Sequence, residues 1–501
     1  MTKFFANLLN RLSMYKVVSI TLTVLFAAAL LFSALGVLSY SPLAMLASVG
    51  VLGFSVFLIS LLFGLIFGVR VHTESSFITA MILFFIFTPT LEVSGLVTLA
   101  LVGFIAAASK FLLAFRGRHI FNPAAIAALV IGFTGLGFAT WWVATPVLIP
   151  FTLLLGYAVI QKTRRVHMSG TFMVASVVLV AALLVSYGNS LGDALVLLLS
   201  WPIFYFSAFM LTEPLTMPPK KWQQVVEALV VAVLFSIPLH IGDLSLGPAF
   251  ALVVGNLLAF IFARHQSLRL RFKRMKQLTP TSFEFAFTSK QRLNYEAGQY
   301  VELTIPHKKA DLRGERRSFS ITSAPGDTEL TLGVKFYEPS SSYKSALKSL
   351  QYGGILSATG IQGDFTLPKE AAQPLLLIAG GIGITPYIGH LQQLKKTKEK
   401  RDIVLVYAVN DVAEIAYKDI LVASGVKVII VTKSGAGYAL PSGWEVIEQP
   451  YITQEALEAS IPDITTRSAY ISGPPMLIDG TKRHLKHLGV KKIKTDYFIG
   501  Y

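Results

Sequence analysis

The run "ERRSFSITSAP" at 315–325 sets guanidiniums, an aromatic ring and a line of small hydroxyls on one extended segment. A guanidinium grips phosphate oxygens, a flat ring face receives another ring, and a small hydroxyl donates to a nearby heteroatom. Arg317, Phe319 and Ser320 therefore suit a ligand that is anionic at one end and planar at the other. A second candidate is "LLLIAGGIGITPYIGHL" at 375–391, which reads as apolar strand, Gly-rich turn and helix. Gly380, Gly381 and Gly383 would let the backbone approach a pyrophosphate seated on the helix N-terminus, and Thr385 and Pro386 suit a helix start. Two further clusters follow: Ser472, Gly473, Pro474 and Met476 in "SGPPM", and Asp496 and Phe498 in the C-terminal "DYFIGY". Taken singly, an exposed strand and a tight turn explain the first two equally well.

These residues need a scaffold, and the texture of the chain supplies one. From Arg264 the basic stretch "RHQSLRLRFKRMKQ" reads as a juxtamembrane linker against anionic lipid, and after it short alternating strands such as "SFEFAFTS", "YVELTIP" and "ELTLGVKFYE" predict an antiparallel β-barrel in a domain over 265–370. From 371 to 501 the pattern becomes apolar strands mostly separated by helical stretches: "PLLLIAGG", "RDIVLVYAV", "VKVIIVTKS" and "SAYISGPP". That predicts an α/β domain with a parallel sheet.

The first half is different. The 501 residues are 53% hydrophobic and 14% charged, so much of the chain is expected in lipid. Ten apolar segments (17–39, 43–68, 76–90, 94–113, 122–138, 141–160, 171–187, 193–211, 223–241 and 246–263) predict an α-helical transmembrane domain of about ten helices over 17–264. Residues 1–16 predict a short interfacial helix. Connections carrying Arg70, then Arg116 and Arg118, then Lys162, Arg164 and Arg165, then Lys220 and Lys221 alternate with connections holding only Glu92, Asp193 and Asp243. The asymmetry places both termini and the soluble half in the cytoplasm, on a multi-pass protein of the cell (inner) membrane. The net charge of +16 is accounted for by those loops rather than by nucleic-acid binding. With no cysteine, iron–sulfur clusters and Cys-type zinc sites are excluded, and no metal site is expected.

In their order, Arg-x-aromatic-Ser, Gly363 to Phe365, Gly-Gly-Ile-Gly-Ile-Thr-Pro, Ser-Gly-Pro-Pro-Met and the C-terminal aromatic segment resemble the ferredoxin-NADP⁺ reductase superfamily over about 266–501. The resemblance implies FAD and NAD(P)H as cofactors and a flavin-dependent oxidoreductase. It implies Arg317 at the flavin phosphates, Phe319 on the isoalloxazine and Ser320 near the flavin N5. Ser341, Ser342 and Tyr343 fall at the second phosphate segment. Asp496 and Phe498 fall near the nicotinamide, as does Ser472, where the family usually has cysteine. Ser320, Ser472 and Asp496 are thus the catalytic candidates.

In the first half "SSFITAMILFFIFTP" (75–89), "SKFLLAFRGRHIFNPAAIA" (109–127) and "FMLTEPLTMPP" (209–219) resemble the flavin-binding membrane subunits of two respiratory complexes, the sodium-translocating NADH:quinone reductase and the Rnf complex. The resemblance implies a second flavin, FMN or riboflavin, with Lys110, Arg118, Asn122 and Thr212 as contacts. Polar, backbone-breaking motifs at cytoplasmic helix ends agree with a bound group there. The covalent-flavin signature is incomplete in "VHMSGTF", where Phe172 replaces the final Thr, so non-covalent flavin is expected. The expected route runs from NAD(P)H through FAD to the membrane flavin and on to quinone or another acceptor. The alternatives are a haem-containing ferric-reductase or NADPH-oxidase-like protein and an ion-translocating subunit. His72, His119, His167 and His240 form no helix-borne pair, and the spans carry few acids.

Overall fold

The computed structural model describes residues 12–498 apart from 70, 116, 117, 242, 243, 263–267, 292, 309, 312 and 434–439. Residues 1–11 of the expected interfacial helix, Arg70, Arg116, Asp243 and the start of the soluble half at 264–267 lie outside the described residues. The chain divides into two compact units, Met1–Gln266 and Ser267–Tyr501.

The first unit is helical. Helices α1 (Met14–Ala34), α2 (Pro42–Phe67), α3 (Thr73–Ile86) and α4 (Val93–Leu112) lead to a short hairpin, β1 (Ala114–Phe115) and β2 (Arg118–His119). Then come α5 (Pro123–Thr134), α6 (Ile149–Thr163), α7 (Val166–Ser186), α8 (Leu191–Leu197), α9 (Ile203–Phe206) and α10 (Lys221–Ser236). A second hairpin, β3 (Leu239–Ile241) and β4 (Leu244–Leu246), precedes α11 (Pro248–Phe262). Local chemistry sets the starts: the Ser13 and Ser41 hydroxyls accept from the amides of Lys16 and Ala44, satisfying donors the helix leaves open.

Each of the ten apolar segments holds a helix, but five helices among the described residues are long and apolar enough to cross a membrane. The number becomes six if Leu191–Ser200 and Ile203–Leu211, bent by 50°, form one span. The difference from ten has a physical cause. α3 has 14 residues, about 21 Å of rise, and α5 is shorter still. A helix can stop in an apolar interior only if its last carbonyls find donors. The extended stretch after α5 provides them: Thr140 and Trp141 amides donate to Ile86 O at 2.9 and 2.8 Å, and the Trp142 indole donates to Phe84 O at 2.6 Å.

The second unit has two sheets. In the antiparallel one β5 (Leu268–Gln277), β6 (Ser282–Ser289), β7 (Tyr300–Thr304), β8 (Arg316–Ser320), β9 (Glu329–Lys335) and β10 (Ile355–Gln362) stand in the order β8-β7-β10-β5-β6-β9. A bridge between Ile321 and Leu332 links its two edges. The stretch expected as a basic linker is a strand from Leu268 on: β5 buries Leu268, Leu270 and Phe272 and exposes Arg269, Arg271 and Lys273, so its charges are one face of a period-two pattern. Helix α12 (Ser342–Lys348) follows β9 in the chain.

The other sheet is wholly parallel: β11 (Leu375–Gly380), β12 (Ile403–Val409), β13 (Lys427–Thr432), β14 (Glu445–Glu448), β15 (Ser468–Gly473) and β16 (Ile493–Tyr497). Helices α13 (Thr385–Thr397), α14 (Lys418–Ser424), α15 (Gln454–Ser460) and α16 (Pro475–His487) connect them. The strand order is β14-β13-β12-β11-β15-β16, so the winding reverses between β11 and β15. Ligands of open parallel sheets bind outside the carboxyl ends at such a reversal.

Candidate functional site

At that reversal the ends of β11 and β15 lie side by side, and the turns after them interlock. A Cβ on Gly383 would strike Ser472 O and Gly473 Cα, and one on Gly380 would meet Leu477 Cδ1 at 2.7 Å. These two glycines therefore let the turns pack together. Gly381, at φ +54°, has open space around its missing Cβ and is the glycine at which a ligand can approach the backbone. Thr385 is buried with its hydroxyl on Ile382 O at 3.0 Å, closing the turn.

Ser472 is fully buried, and its Oγ has no hydrogen-bond partner. It pairs in register with Ala379 on one side and Asp496 on the other. The Phe498 amide donates to Gly473 O at 2.9 Å, so the C-terminal segment is fastened to the same turn. Ser472, Gly473, Asp496 and Phe498, far apart in sequence, are thus brought together. Pro474 is exposed, as is Met476 at 85%. A buried hydroxyl without a partner is costly, so this one is a candidate to meet a ligand.

The antiparallel sheet gathers the second cluster. Arg317 donates to the carbonyl oxygens of Arg313, Gly314 and Arg316 and to Asp311 Oδ1, and its guanidinium lies 5.0 Å over the Tyr343 ring. Asp311 in turn donates its amide to Ser342 Oγ at 3.0 Å, and Ser341 caps α12 by accepting from the Lys344 amide. Phe319 is buried, its ring stacked on Tyr343 at 6.1 Å, and Ser320 is buried opposite Tyr300.

Sequence reasoning missed Lys344 here. Its ammonium donates to Lys335 O and is pushed down to about 8 by burial first, then by Arg313, Arg317 and Lys335. Several cations thus converge on one short helix, and a phosphate ligand fits that gathering of positive charge. The available signal was a lysine one turn after a serine cap.

In the first unit Arg118 and Asn122 bond to the Thr212–Leu215 turn, while Lys110 bonds to Ser75. Arg118 donates to Leu215 O and Pro214 O, both at 2.7 Å. Asn122 caps α5 through Oδ1, and its Nδ2 donates to Glu213 Oε2 at 2.9 Å. His119 Nε2 lies 3.0 Å from Glu213 Oε1. Lys110 donates to Ser75 O and Oγ, each at 3.2 Å. Thr212 uses its hydroxyl on Ala208 O, at the end of a π-helical turn, Ser207–Leu211, that continues α9. Such turns concentrate at functional sites. Glu213, the middle residue of the Thr-Glu-Pro motif and not itself an expected contact, is the hub. A cavity of about 70 Å³, well below the ~300 Å³ of a typical ligand pocket, opens beside it and is lined by Ser75, Asn122, Thr212 and Glu213 together with apolar residues such as Ile82 and Phe209.

Residues 377–483 match the family described as the oxidoreductase NAD-binding domain. NADH oxidoreductase HCR of Escherichia coli (strain K12) is 24% identical over 232 residues, 46% of this chain and 68% of that protein. The reductase component of propane 2-monooxygenase from Rhodococcus jostii (strain RHA1) is 26% identical, over 46% of this chain and 63% of its own. A ferredoxin NADP⁺ reductase from Neisseria gonorrhoeae, solved with bound FAD and NADP, shares 19% identity over 47% of this chain and 99% of its own, with a TM-score of 0.39. The chain spans about two thirds of the length of these curated relatives. The C-terminal half resembles the ferredoxin-NADP⁺ reductase family and is a flavin-dependent NAD(P)H oxidoreductase unit.

Proposed function

We propose that the chain is a single-polypeptide electron conduit in a cell membrane, its reductase domain in the cytoplasm. NAD(P)H docks at the β11–β15 reversal, FAD at the Arg317–Lys344 cluster, and a second, non-covalent flavin (FMN or riboflavin) in the membrane domain beside Glu213. Electrons leave to quinone or another acceptor. FAD accepts hydride from the nicotinamide and releases electrons singly, which joins a two-electron donor to a one-electron route.

The chain's residues divide the work. Arg317 and Lys344 neutralise the diphosphate, and Ser341 and Ser342 hold the loop and helix that carry it. Phe319 and Tyr343, buried and stacked on each other, brace the strand and helix behind the flavin ring, and Ser320 would donate to it. Gly381 admits the nucleotide to the backbone. Ser472 Oγ would hydrogen-bond the nicotinamide, with Asp496 and Phe498 on the neighbouring strand end beside it. In the membrane domain Lys110, Arg118, Asn122 and Thr212 shape the second pocket through Glu213.

The observation that supports this reading is that Asn122 and Thr212 line one cavity beside Glu213, with Arg118 bonded to the same turn and Lys110 to Ser75 on the cavity wall. The test is to purify the full chain in detergent, release its cofactors with acid and count them. About two flavins per chain without haem is the expected result. FAD alone would leave a reductase on a helical scaffold, and a haem Soret band would overturn the membrane-flavin reading.

A further inference from the structure

Few acids were expected inside the spans, yet Glu227 of α10 is fully buried. Its carboxyl group lies against Gly255 of α11, where a Cβ would sit 3.4 Å from Oε1. Neither oxygen has a partner at hydrogen-bonding geometry, and the polar group next to it is the Asn256 side chain. The helices packed against α10 are α7 and α11. α7 brings one titratable residue, His167 in its first turn, and α11 brings none. On α10 itself Lys221 stands at the first position, six residues and about 9 Å of rise away.

Asn256 does not end the polar path. Its Oδ1 accepts from the Asn122 amide at 2.8 Å, Asn122 Nδ2 donates to Glu213 Oε2 at 2.9 Å, and Glu213 Oε1 meets His119 Nε2 at 3.0 Å. The His119 and Glu213 side chains are 11% and 23% exposed. Hydrogen bonds therefore run from a solvent-reached pair, past the cavity, to the Asn256 side chain, which stands beside the buried Glu227 carboxyl. An ionisable residue so placed needs a reason, and a neutral carboxyl can both donate and accept, so it can pass a proton on.

We propose that Glu227 is a proton-exchange site coupled to the pocket beside Glu213, storing a proton that reduction of a quinone-type acceptor consumes. This rests on the reading of the membrane domain as an electron-accepting one. Two electrons originating from NAD(P)H reach the quinone, and two protons must follow to give the hydroquinone. One O–H bond breaks at Glu227, leaving its carboxylate, as one forms on the acceptor. The other proton comes from water, and Glu227 is afterwards reprotonated from water; the amide groups of Asn122 and Asn256 orient the site and carry no proton themselves.

The experiment compares the wild-type full chain with Glu227→Gln in liposomes containing a lipid-soluble long-chain quinone. NAD(P)H-driven reduction of ferricyanide, which reports the reductase half, is expected unchanged. Quinone reduction is expected to fall about tenfold or more. In reduced-minus-oxidised infrared spectra the wild type is expected to show a protonated-carboxyl band that shifts in D₂O, and the variant to lack it. The wild-type spectrum stands as a test even if the variant fails to fold. Equal quinone rates with the same band in both proteins would overturn the role of Glu227 alone. A wild type that reduces ferricyanide but not quinone would overturn the membrane-domain reading, and this inference with it.

Discussion

Replacing Lys344 by Met tests the phosphate site most sharply. In the free protein the ammonium is depressed from 10.5 to about 8 by burial and by three neighbouring cations. A bound diphosphate sets anionic charge against that cluster, so binding restores the ammonium toward its ordinary value. The gap is worth about 3 kcal/mol between the two protonation states. The sign follows: below pH 8 Lys344 is charged in both states, and affinity is at its full value. As pH rises through 8 the free site loses its proton while the bound site keeps it, so FAD binding weakens. Linkage gives about a tenfold loss between pH 7 and pH 9. Lys344→Met is expected to bind about 10–100-fold more weakly at pH 7, from the loss of one charged contact, and to be flat with pH over that range. The assay is fluorescence titration of FAD into the deflavinated full chain. A wild-type affinity independent of pH, or the same slope in Lys344→Met, would refute the reasoning.

Three further outcomes follow from the same geometry. Ser472→Ala removes a buried hydroxyl that has no partner, so thermal stability should rise or hold within about 1 kcal/mol, while hydride transfer in stopped flow should slow about tenfold. Gly383→Ala drives a methyl into the backbone at Ser472, and denaturant unfolding should show a loss of ~2 kcal/mol or more with weakened NAD(P)H binding. Glu213→Ala leaves His119 and the Asn122 amide without their acceptor; it should cost ~2 kcal/mol and empty the second flavin site, with FAD content unchanged.

Periodicity made much of this fold legible. Alternation marked strands such as β6 and β9, and the continuous apolar runs of β11 to β13 and β15 marked a parallel sheet; β5 was missed, because the basic side chains of "LRLRFKRMKQ" on its exposed face made it read as a linker. β16 was missed because "IKTDY" is polar and half-exposed, an edge strand placed by its pairing with β15 rather than by its own pattern. Hydropathy marked the segments at 76–90 and 122–138 as short for a bilayer, but not that Thr140 and Trp141 cap the carbonyl at the end of α3. At the sites, residue type marked Arg317, Ser472 and Asn122, but not the hubs. Glu213 and Asp311 act by joining segments distant in the chain, and Glu227 is one acid in an apolar run until its burial and the chain through Asn256 are seen.

The central claim, one chain carrying electrons from NAD(P)H to a second flavin, is tested most directly by anaerobic titration of the purified full chain with NAD(P)H. The account predicts that about two equivalents per chain bleach the flavin absorbance, in two kinetic phases, with the slower phase lost in Glu213→Ala. Complete bleaching by about one equivalent in a single phase would contradict it.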